Sequence, residues 1–370
     1  MKKFSFAAVL AAIFALLAFA PSATHNTVSA QTAAATMVAT KSGTMAATMA
    51  GTMAAQDRAG WPETFIIGVY PGDNIEKAIA AQEPLRVYLE KKLGVRTVVI
   101  TGTSYNAVIE AMRAGRADAF EVGPFSYVLA AQVANAEAIA VGNYSTKIDK
   151  TVLPGYYSVL LTKKGSNIKT IADLKGKTLS YADPASTSGY LIPATEIMNA
   201  MKFDSKDQLD SFFAQSIFAG SHPASVIAVN TDKVNAGATF DDNLQAQVKA
   251  GIKICGVGET ADSNPFKKFQ SAADIAKIYD ACPAGQLAVF FQSSLIPQTP
   301  FAVSLKLPQS FRTAIKAVLL DLANDQATVD ALGRFYVDPT TINKDLKTID
   351  ALYDQLRVVA KKLNLDLTKR

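Results

Sequence analysis

From Phe65 onward the chain alternates short apolar runs with stretches in which apolar side chains recur every three or four residues. Residues 65–69 (Phe-Ile-Ile-Gly-Val) form an apolar run ended by Pro71-Gly72, the pattern of a buried parallel strand opening into a loop at its carboxyl end. A helix is predicted over 75–93 and a β-branched strand over 96–100. A second helix starts at Tyr105, where Tyr105, Val108, Ile109 and Met112 share one face up to Gly115. A strand over 118–122 stops at Gly123-Pro124, and helical spacing resumes over 127–134. The rhythm restarts at Tyr156, with strands over 157–162, 177–182, 213–219 and 234–239, a short helix over 171–174, and helices beginning near Leu191, His222 and Asp241. An apolar strand over 287–291 follows the segment that holds both cysteines, and helices fill the chain from about Pro308. Such alternation with short loops predicts an α/β fold of two lobes, each a mostly parallel sheet flanked by helices, with strand-end loops lining the cleft between them. The predicted boundaries are 61–155 for the first part of lobe 1, 156–290 for lobe 2, and 291–370 for the return to lobe 1 with the C-terminal helices.

The first sixty residues read differently. Lys2 and Lys3 precede an apolar run over 4–20 and a small-x-small site at Val28-Ser29-Ala30, which predicts a secretory signal peptide over 1–30. An uncleaved leader acting as a membrane anchor is the competing reading, although the run is short for a bilayer span. No cysteine follows it to accept a lipid. Residues 31–60 repeat a Thr-Met-Ala-Ala vocabulary and predict a low-complexity flexible linker. Its methionines lack the His or Cys partners of a copper site, so no metal and no cofactor is expected. The expected location is therefore outside the cytoplasm, in the periplasm or at the outer face of the cytoplasmic membrane, tethered there if the leader is retained. Cys255 and Cys282 are the only cysteines, and in an exported chain an even pair is expected to form a disulfide. Without Lys2 and Lys3, 35 basic against 32 acidic side chains leave a net charge of +3. That balance, with basic residues scattered among acids, points away from nucleic acid.

The candidate chemistry lies in the loop after residues 177–182. Ser186, Thr187, Ser188 and Gly189 precede a helix, where unpaired backbone N–H groups and the positive dipole end favour an anion. One hydroxyl suffices for an ordinary N-cap, so three in succession suggest an oxyanion cradle. Pro193, in the first turns of that helix, would leave the Gly189 carbonyl without its usual donor. His222 opens the next helix after Gly220-Ser221 and faces the same edge. Ser186, His222 and Asp242 also supply the residue types of a hydrolase triad, but no Gly-x-Ser-x-Gly elbow surrounds Ser186.

The run from Tyr181 to Pro193, the Gly220-Ser221-His222 turn, Gly123-Pro124 with Ser126-Tyr127, and Gly155-Tyr156-Tyr157-Ser158 resemble the phosphonate, phosphite and phosphate binding proteins of the PhnD family over about residues 62–325. The resemblance implies a type II periplasmic binding protein fold and a binding protein rather than an enzyme. It would be a monomer that captures a small phosphorus oxyanion in the interlobe cleft and delivers it to the membrane permease of an ABC transporter. A sensor subunit reporting the same oxyanion to a membrane receptor is the alternative partner role. Ser186, Thr187 and Ser188 match the residues that bind phosphonate oxygens, Tyr105 and Tyr156 the two tyrosines that close on the ligand, and His222 the family histidine. Asp242, with Asp241 beside it, falls where members that bind aminoalkyl phosphonates place an acid, and Thr299 stands where their second acid is expected. A ligand without an amine is therefore expected. Glu121 occupies a position that is usually apolar or aromatic.

Overall fold

The structure is a computed structural model that describes residues 58–363 apart from Pro71 and Asp73. The predicted signal peptide, and the predicted linker except for residues 58–60, lie outside the described residues.

Thirteen strands form in the described chain: β1 (Thr64–Val69), β2 (Arg96–Thr101), β3 (Ala119–Glu121), β4 (Ala136–Asn143), β5 (Gly155–Tyr156), β6 (Ser158–Lys163), β7 (Thr178–Tyr181), β8 (Gln215–Phe218), β9 (Ala236–Phe240), β10 (Leu287–Gln292), β11 (Ile296–Pro297), β12 (Pro300–Ser304) and β13 (Phe335–Val337). One sheet has the order β13-β4-β12-β3-β1-β2 and the other β10-β6-β9-β7-β8. The short pair β5 and β11 lies on the two segments that cross between them.

The expectation of mostly parallel sheets is corrected to mixed ones. Parallel pairing joins β1 to β2 and β3, and β7 to β8 and β9. Antiparallel pairing joins β4 to β12 and β13, β12 to β3, and β6 to β9 and β10. The cause is the crossing itself. A chain that leaves a lobe along one strand and returns along its neighbour must run the second in the opposite direction, so β4 with β12, β5 with β11 and β6 with β10 are all antiparallel.

Each sheet is covered on both faces. Helices Glu83–Leu93 and Gln309–Asp321 bury Leu85, Leu89, Phe311 and Ile315 against Phe65, Ile67 and Phe301 on one face of the first sheet. Helix His222–Asn230 and the cysteine segment bury Val226, Phe266 and Ile275 against Val159, Leu161 and Val289 of the second. A third apolar core runs from Val108, Phe120 and Phe125 in lobe 1 to Leu179, Leu191 and Ile197 in lobe 2. The lobes therefore share a continuous packed interior beside their cleft.

The helix predicted over 75–93 is two, Ile75–Ala80 and Glu83–Leu93. Pro84 has no N–H to donate back to Ala80 and sits in the first turn of the second helix, where that loss costs nothing. The strands β4, β12 and β13 were not predicted. Alanine dominates β4 and proline opens β12, both weak strand signals, yet each of these strands is almost wholly buried.

Cys255 and Cys282 are joined by a disulfide with Cα atoms 5.5 Å apart. The Cys255 N–H also donates to Leu287 O on β10 at 2.8 Å, so the bridge holds the intervening segment, including helix Ala272–Asp280, against the sheet. Closing a loop with a sequence separation of 27 is worth about 3 to 4 kcal/mol through the unfolded chain's entropy. Reduction, or Cys255→Ser with Cys282→Ser, should lower the melting temperature without changing ligand binding. An unchanged melting temperature would show that the bridge contributes nothing to the fold.

Candidate ligand-binding site

The loop after β7 is shaped by its own short polar side chains. Asp183 Oδ1 accepts from Ala185 N at 2.7 Å, and Ser186 Oγ accepts from Gly189 N at 3.0 Å. The chain then makes a π-helical turn over Thr187–Leu191, with Leu191 N bonded to Ser186 O at 3.1 Å, before the α-helix Ile192–Met201. The wide turn absorbs Pro193. The Gly189 carbonyl, denied a donor by that proline, accepts instead from Ala182 N at 3.0 Å. A Cβ at Gly189 would lie 2.4 Å from Ala182 Cβ and 2.9 Å from His222 Cε1, so only glycine lets the turn fold back against strand and imidazole.

Four helix N-termini meet at this loop. From lobe 1 come helix Tyr105–Arg113, capped by Ser104, and helix Pro124–Val133, which starts at Gly123 without a side-chain cap. From lobe 2 come the turn capped by Ser186 and helix His222–Asn230, capped by Ser221. Lobe 1 donors reach lobe 2 acceptors directly. Tyr105 N donates to Asp183 Oδ2 at 3.3 Å, Phe125 N to Thr187 Oγ1 at 2.8 Å, and Ser126 Oγ to Ala185 O at 2.8 Å. In the other direction His222 N donates to Tyr70 OH at 3.4 Å. The Tyr70 ring sits 5.1 Å from Tyr105 and 6.2 Å from His222.

Ser186, Thr187, Ser188, His222, Tyr105 and Tyr156 come together here, none more than 7% exposed. The Tyr105 hydroxyl faces Ser186 and Tyr70, and the Tyr156 hydroxyl faces Ser188 and Thr187. Burial pushes both phenols above their usual range, so they stay protonated and able to donate. Ser158 Oγ donates to Ser188 O at 2.7 Å and pins the loop to β6. His222 Nε2 lies 3.2 Å from Ser186 Oγ and Nδ1 lies 3.3 Å from Thr239 Oγ1. Burial lowers its pKa to about 3, so the imidazole is neutral at physiological pH. A neutral ring donates from one nitrogen and accepts at the other, which ties two hydroxyls without adding charge.

Asp242 does not join this group. Its carboxylate is ion-paired with Lys267, so it is unavailable both as a counter-charge in the cleft and as the orienting acid of a triad, where Thr239 stands instead. The inward carboxylate is Asp241, 1% exposed, with Oδ1 accepting from Asp242 N at 3.0 Å. Burial first, then the Asp242 charge, raises its pKa to about 7, and it lies in the field of Tyr156. Thr299 is buried on the second crossing segment, its N–H donating to Gln298 Oε1 at 2.9 Å and its carbonyl accepting from Gly142 N at 3.1 Å. Tyr70 and Asp183 were missed as site residues. Both stand immediately beyond strand carboxyl ends, where ligand-facing residues of such sheets gather, so position along the strand pattern could have found them. Among the described residues no cluster of three or more His, Cys, Asp or Glu side chains could hold a metal ion.

Two mixed α/β lobes joined by two crossing segments, with helix N-termini converging between them, define a two-lobed type II periplasmic binding protein fold. Residues 67–345 match the family model described as ABC transporter, phosphonate, periplasmic substrate-binding protein, and the chain belongs to that family. It is 34% identical over 184 residues to the phosphate-import protein PhnD of Mycolicibacterium smegmatis, a stretch covering 49% of this chain and 56% of that one. It is 31% identical over 160 residues to the phosphonates-binding periplasmic protein of Escherichia coli, covering 42% of this chain and 44% of that one. The chain thus spans about half the length of the curated relatives it matches. The fold is shared with PhnD1 from Prochlorococcus marinus in complex with methylphosphonate, at TM-score 0.60 and 19% identity over 82% of this chain and 99% of that one. It is shared also with a binding protein component of an ABC phosphonate transporter from Pseudomonas aeruginosa, at TM-score 0.58 and 18% identity over 81% and 95%.

Asp241 generates a test of this geometry. In the unfolded chain it ionises near 3.8, and in the folded protein near 7. Between these values the folded state holds a proton that the unfolded state has released, so this group's contribution is full below about pH 4 and is lost as pH rises to 7. Asp241→Asn removes that loss. Its stability relative to the parent should rise with pH across the window by up to about 1.4 kcal/mol per unit, read as denaturant midpoints at pH 4 and pH 8. A difference independent of pH would show that Asp241 ionises as freely folded as unfolded.

Proposed function

We propose that this chain is the extracytoplasmic solute-binding component of an ABC transporter, capturing a small phosphorus oxyanion and handing it to a membrane permease. The observation that carries the reading is the meeting of four helix N-termini with the Ser186, Thr187 and Ser188 hydroxyls. Each N-terminus contributes unpaired N–H groups and a partial positive charge. A tetrahedral oxyanion presents several acceptors around one centre, which suits donors converging from different directions. Family membership supplies the phosphorus.

Capture and delivery follow from the seam. A ligand shifts two lobes toward closure only through contacts it gains in the closed state. Ser186, Ser188 and His222 belong to lobe 2, and Tyr105 and the Gly123 helix start to lobe 1, so an anion among them favours the closed form. That form is what a permease would recognise, in keeping with a predicted signal peptide and export to the outer face of the membrane. The protein would act there as a monomer.

Ser186 and His222 stand within hydrogen-bonding reach, the feature that could support a hydrolase. Three facts favour holding over catalysis. The imidazole has a pKa of about 3, its Nδ1 faces a threonine, and Ser186 Oγ already accepts from Gly189 N, all poor support for a general base and its nucleophile. Lys267 on Asp242 and threonine at 299 leave Asp241 as the acid whose charge reaches Tyr156 among the described residues, and burial favours its neutral form. That supports phosphite, phosphate or a small alkylphosphonate over 2-aminoethylphosphonate.

A thermal-shift series with phosphite, phosphate, methylphosphonate, 2-aminoethylphosphonate and sulfate tests the reading. A ligand bound only by the folded state raises the melting temperature, so at least one amine-free phosphorus oxyanion should do so and sulfate should not. Ser186→Ala with Ser188→Ala should keep the unliganded melting temperature within a few degrees and abolish the shift. A series in which no phosphorus compound shifts the parent protein would overturn the function.

A further inference from the structure

A buried polar cluster at one side of the cleft takes no part in the capture just described. Glu121, at the end of β3, is 5% exposed. Its carboxylate accepts from Arg334 Nη2 at 2.7 Å and from the Tyr336 hydroxyl at 3.0 Å. Arg334 Nη2 also donates to Gln82 Oε1 at 2.7 Å, and Arg334 Nε to the Tyr336 oxygen at 3.1 Å. A buried carboxylate is stable only when so paired, and here the pair makes a rigid wall on lobe 1.

Tyr144 lies on that wall. It follows β4 at the start of the first crossing segment, and the Arg334 guanidinium sits 5.3 Å from its ring centroid, a cation–π contact. The ring passes so close to Gly142 that a Cβ there would lie 3.1 Å from Tyr144 Cε2 and 3.4 Å from Glu121 Oε1. Gly142 N in turn is bonded to the Thr299 carbonyl at 3.1 Å. One flank of Tyr144 faces solvent, the residue being 41% exposed. Its hydroxyl feels the charges of Glu121 and Arg334 on the wall and of Asp242 in lobe 2. Thr299 follows β11, whose Ile296 pairs with Tyr156, and the Tyr156 ring lies 6.1 Å from Phe240, which packs 4.6 Å from His222 of the cradle. Tyr144 thus stands on the lobe 1 wall beside the crossing segments, next to the strand pair that carries Tyr156.

We propose that Tyr144, laid across the cleft by the Glu121–Arg334 pair, is a specificity-determining residue that limits the substituent on the captured oxyanion to about the size of a methyl group. The proposal rests on the reading that the cradle takes a phosphorus oxyanion. Phosphate, phosphite and methylphosphonate leave the ring in place, whereas a longer alkyl chain extending from phosphorus past Tyr156 meets it.

Titration calorimetry with methylphosphonate and butylphosphonate on the full chain, Tyr144→Phe and Tyr144→Ala tests this. Because Tyr144 is partly exposed, its truncation opens no core cavity, and equal melting temperatures of the unliganded proteins check the fold. The parent should prefer methylphosphonate, and Tyr144→Ala should narrow the preference by about tenfold or more, the scale of steric discrimination in a pocket. Tyr144→Phe, which keeps the ring, should leave the ratio within about threefold of the parent, the control that separates ring bulk from the hydroxyl. A ratio equally unchanged in Tyr144→Ala, or a parent that takes butylphosphonate as tightly as methylphosphonate, overturns the gate while leaving oxyanion capture intact. A parent that binds neither phosphonate nor phosphate overturns both.

Discussion

Helix N-termini brought together across a domain boundary repel one another unless oxygen acceptors stand between them. That constraint organises the whole cleft. Each terminus carries a partial positive charge and N–H groups with no partner inside its own helix. In this protein the acceptors come from the opposite lobe: the Asp183 carboxylate answers the Tyr105 helix, and the Thr187 hydroxyl answers the uncapped Gly123 helix. The lobes are therefore held closed by the same groups that would hold an anion. On the proposed reading, an oxyanion inserted among these donors would add acceptors to a seam already aligned for it, which would couple capture to closure.

The fold serves that alignment. Strands that cross and return set antiparallel pairs at the lobe boundary and place the β5–β11 pair between the sheets. Parallel strands β1, β3 and β7 point their carboxyl ends into the cleft and deliver Tyr70, Gly123 and Asp183 there. Around the cradle the charges are neutralised in place: Asp242 by Lys267 and Glu121 by Arg334, with His222 kept neutral by burial. Beside the Asp183 carboxylate, held by Tyr105 N and Ala185 N, the centre presents dipoles and hydroxyls, suited to holding an anion reversibly without the desolvation cost of a buried cationic side chain.

Much of this was legible in the sequence wherever a local pattern reported a local structure. Apolar runs ending at Gly-Pro or Asp-Pro marked the cleft-facing strand ends, and three hydroxyls in succession marked a helix start that does more than cap itself. The alanine-rich β4 and the short β13 were hidden because tertiary burial, and no propensity of their own, makes them strands. Asp241 and Asp242 could not be separated, since neighbouring residues of a helix point about 100° apart and only the packing reveals which turns inward. Glu121 looked anomalous because its partner Arg334 is 213 residues away, and no pattern along the chain links them. The stray Gly189 carbonyl, deduced from Pro193, found its donor in Ala182, a closure that depends on the π turn.

The most direct test of the central claim is a crystal structure of the protein grown with methylphosphonate. The phosphonate oxygens are expected between the lobes, within hydrogen-bonding distance of Ser186, Thr187 or Ser188 hydroxyls and of backbone N–H groups at the facing helix starts, with the methyl group directed toward Tyr156. A phosphonate bound elsewhere on the protein, or held in the cleft by charged side chains with the helix N-termini turned away, would contradict it.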